Sequence, residues 1–403
     1  MNNPDRLEGS TVILGVCGSI AAYKACELAR RLLGRGAQVR VIMTKSATQL
    51  ITSRAFSSLT SYHVAVDPFE DPVPERIEHI SLADMADLIL IAPATANTMA
   101  KLATGICDDM LTTTVCASDA PVVIAPAMNP RMWGHSPTQE NAQRLAAMGY
   151  HLVEPGEGEM ACGHTGRGRL APLEEILAYA ERALAEKPLM GCRVLVSTGP
   201  TRESIDPLRY LTNRSSGKMG FAIAYEAWLA GAEVTCVTGA VTVDPPAGPE
   251  IVRVETAAEM AAAVLDRAPE SDAYIGAAAV ADFRARNVAS GKLKKAGRED
   301  LTLELVRTDD ILAQVCRAPR RPRLVIGFAA ETENIETGAA EKLASKGCDV
   351  VVANRVGPGG VMGKDDTEIL VLQAGSAPEA VRGSKRHAAR HLVGLLAQRL
   401  RKG

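Results

Sequence analysis

Three residues in the first half of the chain have side chains suited to proton transfer or to binding a carboxylate. His79 precedes a predicted helix and strand, Asn129 follows a predicted strand, and Cys162 lies in a glycine-rich, arginine-bearing loop over residues 161–169. Histidine titrates near neutral pH and nearby cations lower the pKa of a thiol, so both are candidates for acid–base chemistry. Two alternatives stay open: a lone histidine is commonly structural, and Cys162 with His164 could form half of a metal site.

Small and hydroxyl-bearing residues follow three predicted strands of the same half. They are Gly18 and Ser19, then Thr44 and Ser46, then Ala94, Thr95 and Asn97. Hydroxyls and free N–H groups at a helix N-terminus bind anions, so these loops suit a flat aromatic cofactor with one phosphate. Ordinary turns and helix caps use the same residue types. The G-x-G-x-x-G and GxxxxGK[ST] patterns are not found, which disfavours NAD and a P-loop.

The second half contains two groups of residues suited to binding phosphate. Residues 215–217 are Ser-Ser-Gly just before a predicted helix, and Arg214 and Lys218 flank them. Asp282 follows a predicted strand and precedes the lysine cluster at 292–295. A lysine cluster is commonly a solvated loop. Near a carboxylate at the end of a strand, it could instead neutralise a triphosphate while Asp282 holds Mg²⁺.

Strands that end at one edge of a sheet are needed to bring these residues together. Each half opens with a buried strand, a turn, a helix and a second strand, over residues 11–43 and 193–237. This pattern begins a parallel sheet with helices on its faces. Further apolar runs continue the two sheets, at residues 87–92 and 121–126, and at 273–277, 324–328 and 349–352. Ligands bind such sheets at the carboxyl ends of the strands, which is where the candidate residues stand.

The predicted fold class is therefore α/β, with two Rossmann-like domains built on parallel sheets. A chain of 403 residues is long enough for two or three domains. The helix predicted over residues 173–186 ends at Lys187, because Pro188 cannot continue it. We expect one domain over residues 1–187 and another over residues 188–403.

Composition excludes several classes of protein. A net charge of −2 and an aromatic content of 3% disfavour nucleic-acid binding. No apolar run is long enough for a membrane span, and the first ten residues are polar, so we expect a cytoplasmic protein without membrane contact. The nine cysteines are scattered without a C-x-x-C pair, which argues against a disulfide framework or a zinc finger.

The first half resembles the flavin-dependent cysteine decarboxylase family. The resemblance rests on residues 15–24, 92–97, 126–133 and the glycine-rich loop that begins at 161–163. It implies a flavoprotein-type fold with FMN bound in the three loops that contain Gly18, Ser19, Thr44, Ser46, Ala94, Thr95 and Asn97. It also implies that His79 acts in oxidation of a cysteinyl thiol, that Asn129 holds the substrate carboxylate, and that Cys162 donates the final proton.

The second half resembles phosphopantothenate–cysteine ligase. The matching segments are residues 199–203, 213–220, 278–282, the Lys292 cluster and 327–332. The resemblance implies that CTP activates the carboxylate of 4′-phosphopantothenate as an acyl-cytidylate, which the amine of cysteine then attacks. Asn213 and Lys292 would be catalytic, with Asp282 also a metal ligand. The implied nucleotide contacts are Gly276, Ala277, Ala278, Asp282, Lys292, Asp310, Ile311, Phe328, Lys342 and Lys346.

Together the two resemblances cover nearly the whole chain, in the order of the bacterial bifunctional coenzyme A biosynthesis proteins. They imply an enzyme that makes 4′-phosphopantetheine from 4′-phosphopantothenate, cysteine and CTP, with FMN and Mg²⁺. They also imply a homo-oligomer, with trimers of the first half and dimers of the second giving a dodecamer. The sequence departs from the family pattern at Cys17, at Thr308 and Asp309, and at Thr367.

Three other functions compete with this interpretation. A peptidyl-cysteine decarboxylase of the flavin family would not need a ligase half. A regulatory subunit that has lost catalysis would not need His79, Asn129 and Cys162 together. A two-domain NAD dehydrogenase would need the glycine fingerprint that is not found here.

Overall fold

The computed structural model describes residues 5–70, 77–160, 163–294, 301–331, 335–355 and 365–401. The chain divides into two compact units between Ala185 and Glu186. Cys162 and Lys295 lie outside the described residues. No helix in these ranges is long and apolar enough to cross a membrane.

The first unit is built on a six-stranded parallel sheet with the order β3-β2-β1-β4-β5-β6. Its strands are β1 (Thr11–Val16), β2 (Gln38–Met43), β3 (Val64–Ala65), β4 (Leu88–Ala94), β5 (Val122–Pro126) and β6 (His151–Leu152). The strand order reverses between β1 and β4, which is the point where doubly wound sheets open a ligand crevice. The strands predicted in this half are confirmed, and β3 and β6 add to them.

Helices cover both faces of this sheet because side chains alternate along each strand. Leu14 and Val16 of β1 belong to one buried cluster, and Ile13 and Cys17 belong to the other. The helices are α1 (Lys24–Gly34), α2 (Lys45–Thr48), α3 (Ser53–Thr60), α4 (Glu78–Met85), α5 (Ala96–Thr104), α6 (Met110–Cys116), α7 (Pro130–Trp133), α8 (Ser136–Ala147) and α9 (Leu173–Leu184). The helix predicted from residue 20 begins instead with one 3-10 turn, Ile20–Tyr23.

The glycine-rich segment of the first unit is an antiparallel hairpin. Strand β7 (Gly156–Glu159) pairs with β8 (Thr165–Arg169). Gly168 lies so close to the backbone of Met128 that an added Cβ would be 2.4 Å from Met128 O. Met128 N also donates a hydrogen bond to Gly168 O at 2.9 Å. The glycines therefore let the hairpin pack against the loop after β5.

The second unit repeats the same order and then extends it. Its eight-stranded sheet runs β13-β12-β9-β14-β17-β18-β19-β20, and the six strands from β13 to β18 are parallel. Those six are β9 (Arg193–Thr198), β12 (Glu233–Thr238), β13 (Glu250–Arg253), β14 (Ala273–Gly276), β17 (Leu324–Glu331) and β18 (Val350–Arg355).

The parallel sheet predicted for this half is confirmed over six strands, and two further strands that were not predicted extend it at one edge. Strands β19 (Asp366–Gln373) and β20 (Glu379–Ser384) pair in antiparallel fashion. Residues 356–365 are too short a connection for the helical crossover that a parallel pair requires. Among the described residues, two short antiparallel strand pairs lie outside the sheet, formed by β10 (Arg202–Ser204) with β11 (Tyr210–Thr212) and by β15 (Phe283–Ala285) with β16 (Leu305–Arg307).

Among its described residues, five α-helices complete the second unit: α10 (Lys218–Leu229), α11 (Ala257–Arg267), α12 (Ile311–Arg317), α13 (Ile335–Lys346) and α14 (Lys385–Arg401). Helix α10 is buried on most sides, including the carboxylate of Glu226. Arg386 and Arg390 of α14 bind that carboxylate at 2.8 and 3.3 Å. Because a buried charge is costly without a partner, this pairing fixes the first turns of α14 against α10.

Candidate active sites

A cavity of about 490 Å³ opens in the first unit at the carboxyl ends of β1, β4 and β5. This volume lies within the range of roughly 300–1,000 Å³ that small-molecule sites occupy. The lining residues come from the loops after these strands, from α1 and from the hairpin: Gly18, Ser19, Ile20, Tyr23, Lys24, Thr95, Met128, Asn129, Met132, Glu159, Met160 and Arg169. The cavity therefore lies at the strand-order reversal, where a ligand is expected.

Close packing of two loops shapes the floor of this cavity. An added Cβ at Gly18 would lie 2.5 Å from Ser46 Cβ, so only glycine allows the loops after β1 and β2 to meet. Ser19 donates its hydroxyl to Ala127 O at 2.9 Å and caps the turn that follows. Thr95 caps α5 by accepting from Thr98 N at 3.3 Å.

The structure brings some, but not all, of the predicted cofactor residues to the cavity. Gly18, Ser19 and Thr95 line it, and Ser46 contacts Gly18. Thr44, Ala94 and Asn97 lie beside the same loops but are not among the lining residues: Thr44 caps α2, Ala94 is the buried last residue of β4, and Asn97 is exposed in the first turn of α5.

Asn129 lies in the wall of the same cavity, between β5 and α7. Its Oδ1 accepts from Arg131 N at 2.9 Å, which caps α7 and orients the side-chain amide. Its Nδ2 lies 3.2 Å from Nδ1 of His164 in the hairpin connection. The hairpin therefore contacts the predicted substrate-binding residue directly, in a segment that also contains Cys162.

His79 occupies the first turn of α4 and is not among the residues that line the cavity. A crossover helix runs opposite to its strands, so this first turn lies towards the edge where the strands end. The Nδ1 atom of His79 is buried and makes no hydrogen bond within the described part of the chain. A buried polar atom of this kind needs a partner, and the described residues do not supply one.

Cys17, the first departure from the family pattern, is a packing residue. It is fully buried and accepts a hydrogen bond from Thr98 Oγ1 at 3.2 Å. Burial raises the pKa of its thiol to about 11, so the group is neutral at physiological pH.

A second cavity, of about 140 Å³, lies at the corresponding edge of the second unit. It is bounded by the end of β9, by the loop after β14, by residues of β17, β18 and β19, by the start of α10 and by Lys385 of α14. The lining residues include Ser215, Ser216, Gly217, Lys218, Ala277, Ala278, Ala279, Phe328, Asn354, Thr367 and Lys385. The cavity is large enough for part of a nucleotide, such as the phosphates. The lysines and the helix N-terminus that line the cavity favour a negatively charged ligand.

A glycine brings α10 close to the sheet at this cavity. An added Cβ at Gly220 would lie 2.2 Å from Thr198 Oγ1 at the end of β9. Lys218 pairs with Asp365 at 2.7 Å, and Lys385 lies near both groups. Partial burial, together with the charge of Lys218, lowers the pKa of Lys385. The cavity therefore concentrates positive charge at the N-terminus of α10.

Of the other residues predicted in this half, Asn213 is held against the loop after β14. Its Nδ2 donates to Ala279 O at 3.0 Å and to Val280 O at 3.2 Å. Gly276 ends β14, just before the lining residues. The exposed side chain of Asp282 follows, and no group of three metal-binding side chains is found among the described residues.

Four predicted nucleotide contacts form a separate cluster beside Phe328. Asp310 caps α12, and its other oxygen binds Lys346. Although partial burial acts in the opposite direction, the hydrogen bonds from Lys346 and Ala313 N leave the pKa of Asp310 below its usual value. Lys342 donates to the Phe328 carbonyl at 2.6 Å. The side chain of Ile311 is buried in the core, which leaves its backbone as the part that a ligand could reach.

Several lining residues were not predicted as site residues. Lys385 and Met160 carry no local motif that marks them, because the fold brings them in from distant segments, whereas Met128 and Met132 belong to the segment 126–133 that carries the resemblance. Lys24 and Arg169 lie within recognised segments, but nothing in those segments shows that they face the cavity.

Comparison with known proteins identifies both units. A family model described as "Flavoprotein" matches residues 1–184, and one described as "DNA/pantothenate metabolism flavoprotein C-terminal domain" matches residues 189–400. The chain is thus a two-domain Rossmann-like α/β protein of the flavoprotein class.

Relatives that match almost the whole chain define the family more narrowly. The coenzyme A biosynthesis bifunctional protein CoaBC of Bacillus subtilis is 46% identical over 370 residues, 91% of each chain. That of Vibrio cholerae is 46% identical over 352 residues, 87% of this chain and 88% of the relative. A crystal structure of the C-terminal domain of such a protein is 35% identical with a TM-score of 0.47, and covers 54% of this chain and 100% of that one. The chain belongs to the family of coenzyme A biosynthesis bifunctional proteins, and it is an enzyme of that pathway.

Proposed function

We propose that this enzyme makes 4′-phosphopantetheine in two steps. Residues 188–403 join 4′-phosphopantothenate to cysteine with CTP through an acyl-cytidylate, releasing pyrophosphate and CMP. Residues 1–187 then decarboxylate the product with FMN. The observation that carries the proposal is the pair of cavities at equivalent sheet edges, one large and partly apolar, the other small and cationic.

The first cavity fits FMN in both size and chemistry. Ser19 and the N-terminal turn beside it would hold the phosphate, and the small residue Gly18 leaves room for a ring system. When bound, FMN supplies a two-electron oxidation of the substrate thiol, which creates the electron sink that decarboxylation requires. The Met128, Met132 and Met160 side chains would provide an adaptable apolar wall.

Asn129 is suited to hold the substrate carboxylate. Its Oδ1 is already committed to Arg131 N, so the Nδ2 group is presented as a donor. That donor faces His164 Nδ1, and a carboxylate could take the place of the imidazole. Cys162, two residues away from His164, would then protonate the product late in the reaction.

His79 is proposed to accept the thiol proton in a site completed by another copy of the chain. Its buried Nδ1 makes no hydrogen bond within the described residues, and it is not part of the cavity wall of its own chain. Ile77 and Ile80 expose apolar surface beside it, as Ile20 and Tyr23 do beside the cavity. Exposed apolar groups at both places fit a subunit interface, in line with the proposed trimers and dodecamer.

The second cavity is proposed to bind the phosphates of CTP. Ser215 and Ser216, the N-terminus of α10, and the ammonium groups of Lys218 and Lys385 together provide donors and positive charge. A single carboxylate such as Asp282 is enough for Mg²⁺ that arrives on a triphosphate, because this ion keeps several waters and phosphate oxygens as ligands. Phe328 with the Asp310–Lys342–Lys346 cluster would surround the base and sugar.

Asn213 and Lys292 would act on the reacting carboxylate. The Nδ2 group of Asn213 is committed to two backbone carbonyls, so its Oδ1 is presented to the ligand. A lysine ammonium beside a developing oxyanion lowers the barrier by electrostatic stabilisation. We place Lys292 in this role for formation of the acyl-cytidylate.

The test is mass spectrometry of products from 4′-phosphopantothenate, cysteine and CTP, with the absorbance spectrum of the purified protein. We expect a yellow protein that yields 4′-phosphopantetheine and releases pyrophosphate only with CTP. A colourless protein that FMN cannot reconstitute would refute the first half of the proposal, and strict dependence on ATP would refute the nucleotide. A light-scattering mass near 42.6 kDa, that of a single chain, would refute the shared site. Small-molecule substrates of this kind fit the cytoplasmic location expected above.

A further inference from the structure

The tip of the β10–β11 hairpin binds the loop after β15, which contains the proposed catalytic residue Lys292. Asp206, at this tip, has a buried carboxylate. Its Oδ1 accepts from Leu208 N and Arg209 N at 2.8 Å each, which closes the turn. Its Oδ2 accepts from Leu293 N at 3.2 Å, across 87 residues of sequence. One carboxylate therefore joins the hairpin turn to the loop after β15.

Arg209 holds the same residue from its other side. Its guanidinium donates to Leu293 O at 3.3 Å and lies 3.5 Å from Asp206 Oδ2. Ala289 N adds a bond to Ile205 O at 3.0 Å. Both backbone polar groups of Leu293 are thus bound by a single Asp–Arg pair, which is stronger than a contact between neutral groups.

Leu293 directly follows Lys292, whose own side chain is exposed. Within the described residues, no hydrogen bond or ion pair of the Lys292 side chain is found, so its position depends on the backbone next to it. The hairpin that carries Asp206 also leads into Asn213, one residue after β11. The same element therefore sets the positions of both proposed ligase residues.

We propose that Asp206 is a positioning residue of the ligase site, which acts on Lys292 through the backbone of Leu293. This inference rests on the role proposed for Lys292. The hydrogen bond from Leu208 N is the largest of the effects that keep the pKa of Asp206 below its usual value, so the group is ionised at neutral pH. The carboxylate never contacts the reacting atoms in this scheme.

The central test is Asp206→Asn in the full chain, assayed for CTP-dependent pyrophosphate release. The amide can still accept in the hairpin turn, but it cannot also accept from Leu293 N. We expect kcat for acyl-cytidylate formation to fall about 10- to 100-fold, because small displacements of a catalytic group are costly, while the KM for CTP changes little. Val288→Ala, an exposed change in the same loop, is the control and should have no effect.

Non-additivity separates positioning from general destabilisation. In a Lys292→Ala background, Asp206→Asn should cause no further loss of activity if Asp206 acts only through Lys292. A further loss equal to that in the wild-type background would overturn the proposal. So would an unchanged kcat in Asp206→Asn.

Hydrogen exchange provides a readout that does not require ligase activity. The Leu293 amide should be protected in the native chain and should exchange at least tenfold faster in Asp206→Asn. Leu293→Pro, which removes this N–H, should reproduce the kcat loss with Asp206 intact. An unprotected Leu293 amide in the native chain would overturn the inference, whereas absence of CTP-dependent turnover with normal protection would refute only the proposed function.

Discussion

The two units share one strand order, and their cavities differ in nearly every side chain. In both, the order reverses beside the first strand, between β1 and β4 and between β9 and β14. The first cavity is about 490 Å³, has a methionine-rich wall and is flanked by a hairpin, whereas the second is about 140 Å³ and contains two lysines. The comparison shows that the fold determines where a ligand binds, and that the loops and added elements determine which ligand it is.

The difference comes from what each unit adds to the shared sheet. The first adds the β7–β8 hairpin, whose glycines pack on Met128 and bring His164 to Asn129. The second adds β19, β20 and α14, which bring Thr367 and Lys385 to the cavity edge. These additions suggest changes that should affect one activity and spare the other.

The largest expected effect is that of Lys292→Ala. Loss of the ammonium should reduce CTP-dependent pyrophosphate release about 100- to 1,000-fold, because stabilisation of charge in the transition state is lost. Decarboxylation of added 4′-phosphopantothenoylcysteine by the same preparation is the internal control and should not change. A matching fall in both activities would contradict the separation of the two sites.

Gly18→Ala should affect only the flavin site. The new Cβ would be placed 2.5 Å from Ser46 Cβ, and overpacking of this kind costs about 1–3 kcal/mol. We expect FMN to bind about 10- to 100-fold more weakly, measured as flavin absorbance per chain after dialysis. Gly34→Ala is the control, since nothing lies within 4 Å of an added Cβ there. Retention of FMN by Gly18→Ala would show that the loops after β1 and β2 do not form its site.

Lys385→Met should weaken nucleotide binding without removing catalysis. Loss of one charged contact is expected to raise the KM for CTP about tenfold, with kcat nearly unchanged. Because the pKa of Lys385 is below that of an ordinary lysine, the group loses its charge earlier as the pH rises. The KM for CTP in the wild type should therefore begin to increase at a lower pH than that at which an ordinary lysine loses its charge, and Lys385→Met should show a flatter profile. An unaltered KM would exclude Lys385 from the site.

Cys17→Ser should have the smallest effect. The thiol is fully buried and paired with Thr98, and its pKa of about 11 keeps it protonated. We expect stability to change by about 1 kcal/mol or less and flavin content to remain the same. Iodoacetamide should leave Cys17 unmodified in the native protein while it labels the exposed Cys107 and Cys116. Rapid labelling of Cys17 would contradict a purely structural role.

The parallel strands were predictable because each is a short apolar run followed by a turn. The strand–turn–helix–strand units predicted over residues 11–43 and 193–237 are present, with β1 and β2 in the first and β9 and β12 in the second. The β7–β8 hairpin was not predicted as strands, because four-residue segments such as Gly156–Glu159 have no apolar alternation. Its pairing depends on tertiary contacts with Met128.

Which residues line the two cavities was only partly predictable, because some of them are brought there by tertiary contacts. Residues just after strands, such as Ser19 and Ala278, line the cavities as the parallel-sheet rule predicts. Asp206 contacts the backbone of Leu293, and Lys385 lies beside the start of α10. Both partners are distant in the sequence, and no local pattern predicts these contacts. The roles of His79 and Cys162 remain predictions.

The pairing of Glu226 with α14 has a consequence during synthesis. Glu226 and Arg386 are 160 residues apart, and ribosomes add roughly 5–20 residues per second. The mostly buried α10 is therefore made about 10–30 seconds before the helix that covers it and neutralises its carboxylate. During that interval the nascent chain lacks both arginines that bind Glu226, so native packing of α10 has to wait until α14 has been made.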